Sequence, residues 1–297
     1  MSTPGHGNGA PPLFDEAALK ELQRQELAIL LDVQAACNEL GIEFFLGEGT
    51  LLGAVRHQGF IPWDDDVDLL MKRSEYDRFL RLAPPLLAPK YKVQHSTTVA
   101  NYWSPVMKVR LVEGDPLFRQ QHIEHLSPDN GPLIDIFPID YVPKPAGVGL
   151  RLQSTYIRLL RGLLVHKLRT KPATNLRRRL LRVAARGVST RWLHRQLEWA
   201  HTVHNHHERP FLATLATYHP VARQVLPADA FADTVALVFE GHELPAPTGY
   251  DLVLTTTYGD YRTLPPENER GSSHDFVLTS DAPVATDGAP GGLIAGG

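Results

Sequence analysis

Four carboxylates in Asp64-Asp65-Asp66-Val67-Asp68 run straight into the apolar segment Val67 to Met71, and no other stretch restricts the fold as tightly. In an extended strand alternate side chains leave on opposite faces, so Asp66 and Asp68 project together while Val67 enters the core. Adjacent carboxylates repel each other and resist desolvation, whereas a divalent cation neutralises both and takes hard oxygen ligands. The segment therefore points to a strand end holding Mg²⁺ or Mn²⁺, against the plainer reading of a solvated acidic loop.

The surrounding chain supplies the context. From Asp15 to Leu40, Leu19, Leu22, Leu27, Leu30, Leu31, Val33, Cys37 and Leu40 recur at helical spacing, and Gly41 follows where a helix closes. Ile42 to Leu46 reads as a buried strand ending in the turn Gly47-Glu48-Gly49-Thr50. Thr50 is placed to cap a helix from Leu51 to His57, and the backbone N–H groups at Gly49 and Thr50 would face a phosphate. Ser74-Glu75-Tyr76-Asp77 resembles a helix-opening cap before Phe79 to Leu82. Tyr91 to Ser96, Trp103 to Val112 and Leu133 to Phe137 are further strand candidates, which makes the fold class α/β (α+β), a mixed sheet with flanking helices.

Charge is segregated along the chain. The formal net charge is -3, yet Tyr141 to Leu197 holds three Lys, eleven Arg and no acid, so this stretch carries +14 and the remainder -17. From Gly149 to about His207 it reads as a basic amphipathic helical insertion, with Leu150, Ile157, Leu160, Leu164 and Leu168 on one side. Such a surface suits an anionic membrane or an anionic glycan, and equally a plain solvated face. Nucleic acid is not expected, since no stacking aromatics interleave with the arginines. His201, His204, His206 and His207 have metal-site spacing but no completing cysteine or carboxylate cluster, and an Arg/His-rich helix surface accounts for them.

The expected organisation is a disordered tail over 1–13, a core over 14–145, the basic insertion over 146–210, the C-terminal part of the core over 211–278, and a second disordered tail over 279–297. Cys37 is the sole cysteine, which excludes an internal disulfide framework and fits a reducing cytosol. The first residues lack the pattern of a signal peptide, and no run reaches the ~18 apolar residues of a membrane span. The expected location is cytoplasmic, with peripheral contact at the inner face of the membrane through 149–207.

Gly49-Thr50-Leu51-Leu52-Gly53-Ala54-Val55-Arg56-His57 followed by Gly59-Phe60-Ile61-Pro62-Trp63-Asp64-Asp65-Asp66-Val67-Asp68 resembles the LicD family of the nucleotidyltransferase superfamily. That family includes bacterial phosphocholine transferases and the animal proteins fukutin and fukutin-related protein. Leu133-Ile134-Asp135-Ile136-Phe137-Pro138-Ile139-Asp140, Gly249-Tyr250-Asp251 and Tyr258-Gly259-Asp260-Tyr261 with Leu264-Pro265-Pro266 extend the likeness over residues 42 to 266.

The resemblance implies a nucleotidyltransferase-like core with Asp66 and Asp68 as metal ligands. Asp135 becomes the third acid, as ligand or base, with Asp140 its competitor. It also implies transfer of a phospho-alcohol group such as phosphocholine, a polyol phosphate or a sugar phosphate. The donor would be a CDP-activated nucleotide diphosphate and the acceptor a hydroxyl of a glycan or glycolipid, as in polysaccharide, lipopolysaccharide or teichoic acid synthesis.

Several supporting residues stay open between two roles. Arg56 either grips phosphate or ends a helix; Lys108 and Arg110 face the cleft or solvent; Trp63 stacks on a substrate ring or packs its loop. Tyr258, Tyr261 and Arg262 close over the site or anchor the last segment. Two other readings of the whole chain remain: nucleotidyl transfer to a small molecule, and a non-catalytic membrane-associated scaffold.

Overall fold

The computed structural model describes residues 16–113, 118–120, 129–145, 147–168, 183, 185–217, 219–267, 270–271 and 276–278. The two expected tails and Arg169 to Arg182 of the basic stretch lie outside the described residues. The class is mixed α/β, as expected. The first long helix, α1 (Glu16–Leu40), leads to β1 (Phe45–Leu46), α2 (Glu48–His57), β2 (Asp68–Lys72), α3 (Arg73–Leu82) and α4 (Pro84–Leu87). There follow β3 (Tyr91–Gln94), β4 (Met107–Leu111), β5 (Phe118–Gln120), β6 (Leu133–Tyr141) and the insertion helices α5 (Val148–Leu168) and α6 (Thr190–Thr202). The last part holds β7 (Phe211–Ala213), β8 (Val225–Pro227), β9 (Thr234–Phe239), β10 (His242–Pro247), α7 (Tyr250–Tyr258) and β11 (Phe276–Leu278).

One sheet carries the order β1-β2-β6-β4-β3. Its β2–β6 pair is parallel and the other neighbours are antiparallel. Central β6 buries Ile134, Ile136 and Ile139, then runs past its neighbours so that Asp140 and Tyr141 pair with β7. Helix α1 buries Leu22, Ile29, Leu30, Val33 and Cys37, and burial pushes the Cys37 thiol up to about 12, which leaves it unreactive.

Two expected caps are not caps. Helix α2 begins at Glu48 behind Gly47, and Thr50 lies within its first turn, where its Oγ1 accepts a hydrogen bond of 2.8 Å from the Asp68 N–H. Helix α3 begins at Arg73, because β2 turns directly into it at Lys72 with no side-chain cap. The strand expected from Ile42 is only Phe45–Leu46, although Ile42 and Phe44 are buried.

The basic insertion is less surface-like than its charge suggests. Leu150, Ile157, Leu160 and Leu164 of α5 meet Leu193, Leu197 and Ala200 of α6 in a small apolar core with Val142, Ala213 and Leu215. The Gln153 amide donates to the Ala200 carbonyl at 2.8 Å across this seam. His201 is buried, so a helix-surface account does not hold for it, while His204 lies beyond the helix end.

Burial holds the His201 imidazole down at about 4, Asp140 opposing and Arg73 and Arg161 adding to the shift. An unfolded histidine titrates near 6.5, so on acidification between those values the unfolded chain takes up a proton that the folded chain refuses. Stability therefore falls as pH drops through this window. His201→Leu is expected to reduce the loss between pH 7 and pH 4.5 by about 2 kcal/mol, read from urea unfolding at the two pH values.

Candidate active site

Sheet register assembles the first part of the site. Asp68, the first residue of β2, stands opposite Asp135 of β6, and the Asp135 N–H donates to the Val67 carbonyl at 2.8 Å. On its other side Asp135 stands opposite Lys108 of β4, whose Nζ donates to both carboxylate oxygens at 2.5 and 2.8 Å. Lys108 is 3% exposed. The row Asp68, Asp135, Lys108 thus crosses three strands on one face, and the solvated-face reading of Lys108 is excluded.

The acidic loop lies against the end of this row. Gln23 of α1 donates its amide to the Asp64 carbonyl at 2.8 Å, and the Asp64 N–H bonds back to Ile61 at 2.9 Å. Asp64, Asp65 and Asp66 each offer a carboxylate oxygen, all within 4.8 Å of one another. Gly49 has no room for a side chain, since a Cβ there would stand 2.6 Å from the Asp64 Oδ2. The first turn of α2 therefore rests directly on the loop. Leu51 is the first residue of α2 to bond back, to Gly47, which leaves the N–H groups of Glu48, Gly49 and Thr50 without intrahelical partners at its positive end.

Two further acids join the group without having been singled out in the sequence. Glu26 of α1 is fully buried and neither of its carboxylate oxygens has a hydrogen-bond partner. Its position on the buried stripe of Leu22, Ile29 and Val33 was the signal, because an acid on an apolar stripe needs a partner. Glu48 opens α2 in the left-handed region, at φ +41°, with its carboxylate 3.4 Å from His219 Nε2 and 3.5 Å from the Tyr258 hydroxyl. A non-glycine residue held there is strained, as happens at working sites.

Burial is the first reason the Asp64 and Asp68 carboxyls rise well above the usual carboxylate range, and the Asp66 charge is the second. Asp64 is also hydrogen-bonded to Asp66, and Asp135 and Glu48 add to the repulsion on Asp68. Burial, then Asp66, Asp65, Asp64 and Asp68, drive Glu26 the same way. Such a group is relieved by a proton or by a hard cation. The all-oxygen donor set and the partnerless Glu26 oxygens fit a divalent metal ion.

Other candidates take structural positions. Asp140 is buried in a two-pronged pair with Arg73, at 2.8 and 2.7 Å, and accepts from Asn205 at 2.6 Å. Arg110 is fully buried and donates to the Gln94 amide oxygen and the Gly131 carbonyl, so it does not face solvent. Arg56 donates to the Tyr261 carbonyl at 2.9 Å and to His57 at 3.0 Å. Trp63 is half-buried, edge-on to His57, with the Arg270 guanidinium 5.2 Å from its ring centre. The Tyr261 hydroxyl and Arg262 both bond Asp251, which anchors the segment behind α7, whereas Tyr258 touches Glu48.

Residues 41–148 match the LicD/FKTN/FKRP nucleotidyltransferase domain family, ending where α5 begins. The lipopolysaccharide cholinephosphotransferase LicD of Haemophilus influenzae is 28% identical over 269 residues, covering 86% of this chain and 96% of its own. Uncharacterized proteins of Rickettsia typhi and Rickettsia prowazekii are 34% and 33% identical over 68 and 67 residues, 23% of this chain in each case and 22% and 25% of theirs.

Proposed function

We propose that this chain, a phosphotransferase of the LicD family, moves phosphocholine or a related phospho-alcohol from a CDP-activated donor to a hydroxyl of a glycan or glycolipid. The observation that carries the reading is the cross-strand row Asp68, Asp135, Lys108 beside the acidic loop, in a domain of that family. The Haemophilus relative, named for cholinephosphate transfer to lipopolysaccharide, makes that glycolipid the leading acceptor.

In this reading Asp66 and Asp68 hold Mg²⁺ or Mn²⁺, with Asp64 adjoining and Asp135 as third ligand or base. The bound ion supplies neutralisation of charge on the transferred phosphoryl group and on the leaving nucleotide. The N–H groups of Gly49 and Thr50 orient the donor phosphates at the start of α2. Arg56 lies near enough for Asp64 to feel its charge, and Trp63 borders the loop. Lys108 holds the Asp135 carboxylate in place. The acceptor oxygen forms its bond to the donor's distal phosphorus, the bond from that phosphorus to the nucleoside monophosphate breaks, and the hydroxyl proton passes to Asp135 or water.

Incubating the protein with CDP-choline, Mg²⁺ and lipopolysaccharide should release CMP and add the mass of phosphocholine to the glycolipid. Addition of a nucleoside monophosphate from a triphosphate would replace this reading with nucleotidyl transfer. No turnover with either donor class, together with no metal or nucleotide binding, would leave the scaffold.

The insertion adds a membrane-facing surface to this reading. None of the described helices is long and apolar enough to cross a membrane. However, Val148, Leu152 and Leu159 of α5 and Trp192 and Trp199 of α6 are exposed, Leu152 at 66% and Trp199 at 56%. Tyr156 joins the two rows, its ring edge-on to Trp199 at 6.3 Å and its hydroxyl on Gln196 at 2.9 Å. Exposed Arg151, Arg191 and Arg195 flank the apolar band, and like-charged rims oppose a second copy of the chain while attracting anionic headgroups. The band is therefore a peripheral docking face for anionic lipid. Trp192→Ser with Trp199→Ser is expected to weaken sedimentation with phosphatidylglycerol vesicles by about tenfold, and equal binding to phosphatidylcholine alone would contradict the role of charge.

A further inference from the structure

Between α5 and the core lies a cavity of about 430 Å³, large enough for a phosphorylated sugar ring with bound water. Among the described residues its wall carries Arg158, Arg161, His166 and His219 and no carboxylate. Arg161 is fixed there by donation to the Thr217 carbonyl at 2.8 Å. The Thr217 hydroxyl and the Gln224 side-chain N–H₂ also line the cavity; both are at least nine-tenths buried and neither has a hydrogen-bond partner. A buried amide or hydroxyl left in that state costs stability unless a ligand or water satisfies it.

Two walls of the cavity end at the acidic centre. Trp103 lies beneath Lys108, 5.5 Å from Nζ to the ring centre, and Lys108 holds Asp135. On the other side His219 contacts Glu48 at 3.4 Å and the Tyr258 ring edge-on at 5.5 Å. A molecule on Trp103 would therefore sit about one side chain from Asp135, where the attacking hydroxyl is needed.

We propose that this cavity is the acceptor pocket and that it selects a sugar bearing a phosphate group. The inference rests on the transfer reading of the acidic centre. The guanidinium groups take the phosphate, Trp103 takes the sugar's C–H face, and Gln224 and Thr217 take its hydroxyls. A cationic choline head is repelled by the same walls, and a donor diphosphate has to lie across the carboxylates instead. The basic insertion thereby acquires a use in choosing the acceptor.

Calorimetry with glucose 6-phosphate, glucose, inorganic phosphate and CMP tests the pocket directly, in the full chain and in Arg158→Gln and Gln224→Leu. Glucose 6-phosphate should bind, glucose about tenfold or more weaker, and each variant should lose about tenfold for the sugar phosphate while keeping its affinity for CMP. In turnover with CDP-choline, the same variants should raise KM for phosphorylated lipopolysaccharide and leave KM for CDP-choline unchanged. Loss of CMP binding in the variants would make the cavity a donor pocket, and tight binding of inorganic phosphate with no gain from the sugar would make it a simple anion site; either overturns the proposal. If the wild type fails to turn over CDP-choline yet binds glucose 6-phosphate, the transfer reading falls and the pocket stands.

Discussion

Asp68→Asn is expected to lower turnover by about three orders of magnitude while raising the stability of the protein in EDTA by about 1 kcal/mol. Asparagine keeps the shape of the side chain and leaves the Asp68 N–H on Thr50 Oγ1 at 2.8 Å, so the backbone has no reason to move. What changes is charge. Burial and the neighbouring Asp66, Asp135 and Glu48 all disfavour the ionised Asp68 carboxyl, and that cost disappears with the substitution. The same change removes a ligand for the cation and with it the stabilisation of the transferred phosphoryl group. CMP release and urea unfolding in EDTA read the two effects separately. Unchanged turnover would remove Asp68 from the metal site, and a loss of stability would contradict the repulsion among these acids.

Asp140→Ala has its largest effect on folding. Arg73 is 11% exposed, and its acidic partners are Asp140 at 2.7 Å, Glu198 at 3.2 Å and Asp77 at 3.9 Å. Removing Asp140 leaves a nearly buried guanidinium short of its main counter-charge and also strips Asn205 of its acceptor, at a cost of about 3–5 kcal/mol. For a chain of this size the melting midpoint should fall by about 10 °C. Paired replacement by Arg73→Leu and Asp140→Leu should recover most of the loss, since the penalty lies in the stranded charge. If the single and paired variants melt alike, the penalty does not lie in the stranded Arg73 charge.

The apolar run from Val67 to Met71 was sufficient to read a strand: Val67 is fully buried and Asp68 begins β2, with Asp66 in the loop before it. The apolar flanks of Asp135 likewise disclosed a strand, and β6 stands beside β2. The pairing of Lys108 with Asp135 was not legible, because it is set by antiparallel register across 27 residues and not by local spacing. Gly49 was read as a turn glycine, whereas it is helical and small because Asp64 leaves no space for a Cβ. Strands β9 and β10 escaped for another reason. Thr234 to Phe239 has the composition of a strand, but β9 is largely exposed and its partner β10 holds Pro245 and Pro247, which hides the hairpin.

The parallel register of β2 and β6 also bears on how chains of this kind can change length over evolution. Deleting one residue between Asp135 and the start of β6 would turn Asp135 toward the side now filled by Ile134 and Ile136, and would part it from both Asp68 and Lys108. No point substitution elsewhere restores a lost register. Insertions and deletions should therefore be purged from 133–137 and from 107–111 and tolerated in the connections beyond them, so lineages would diverge in the segment after Tyr141 while the three paired positions descend unchanged.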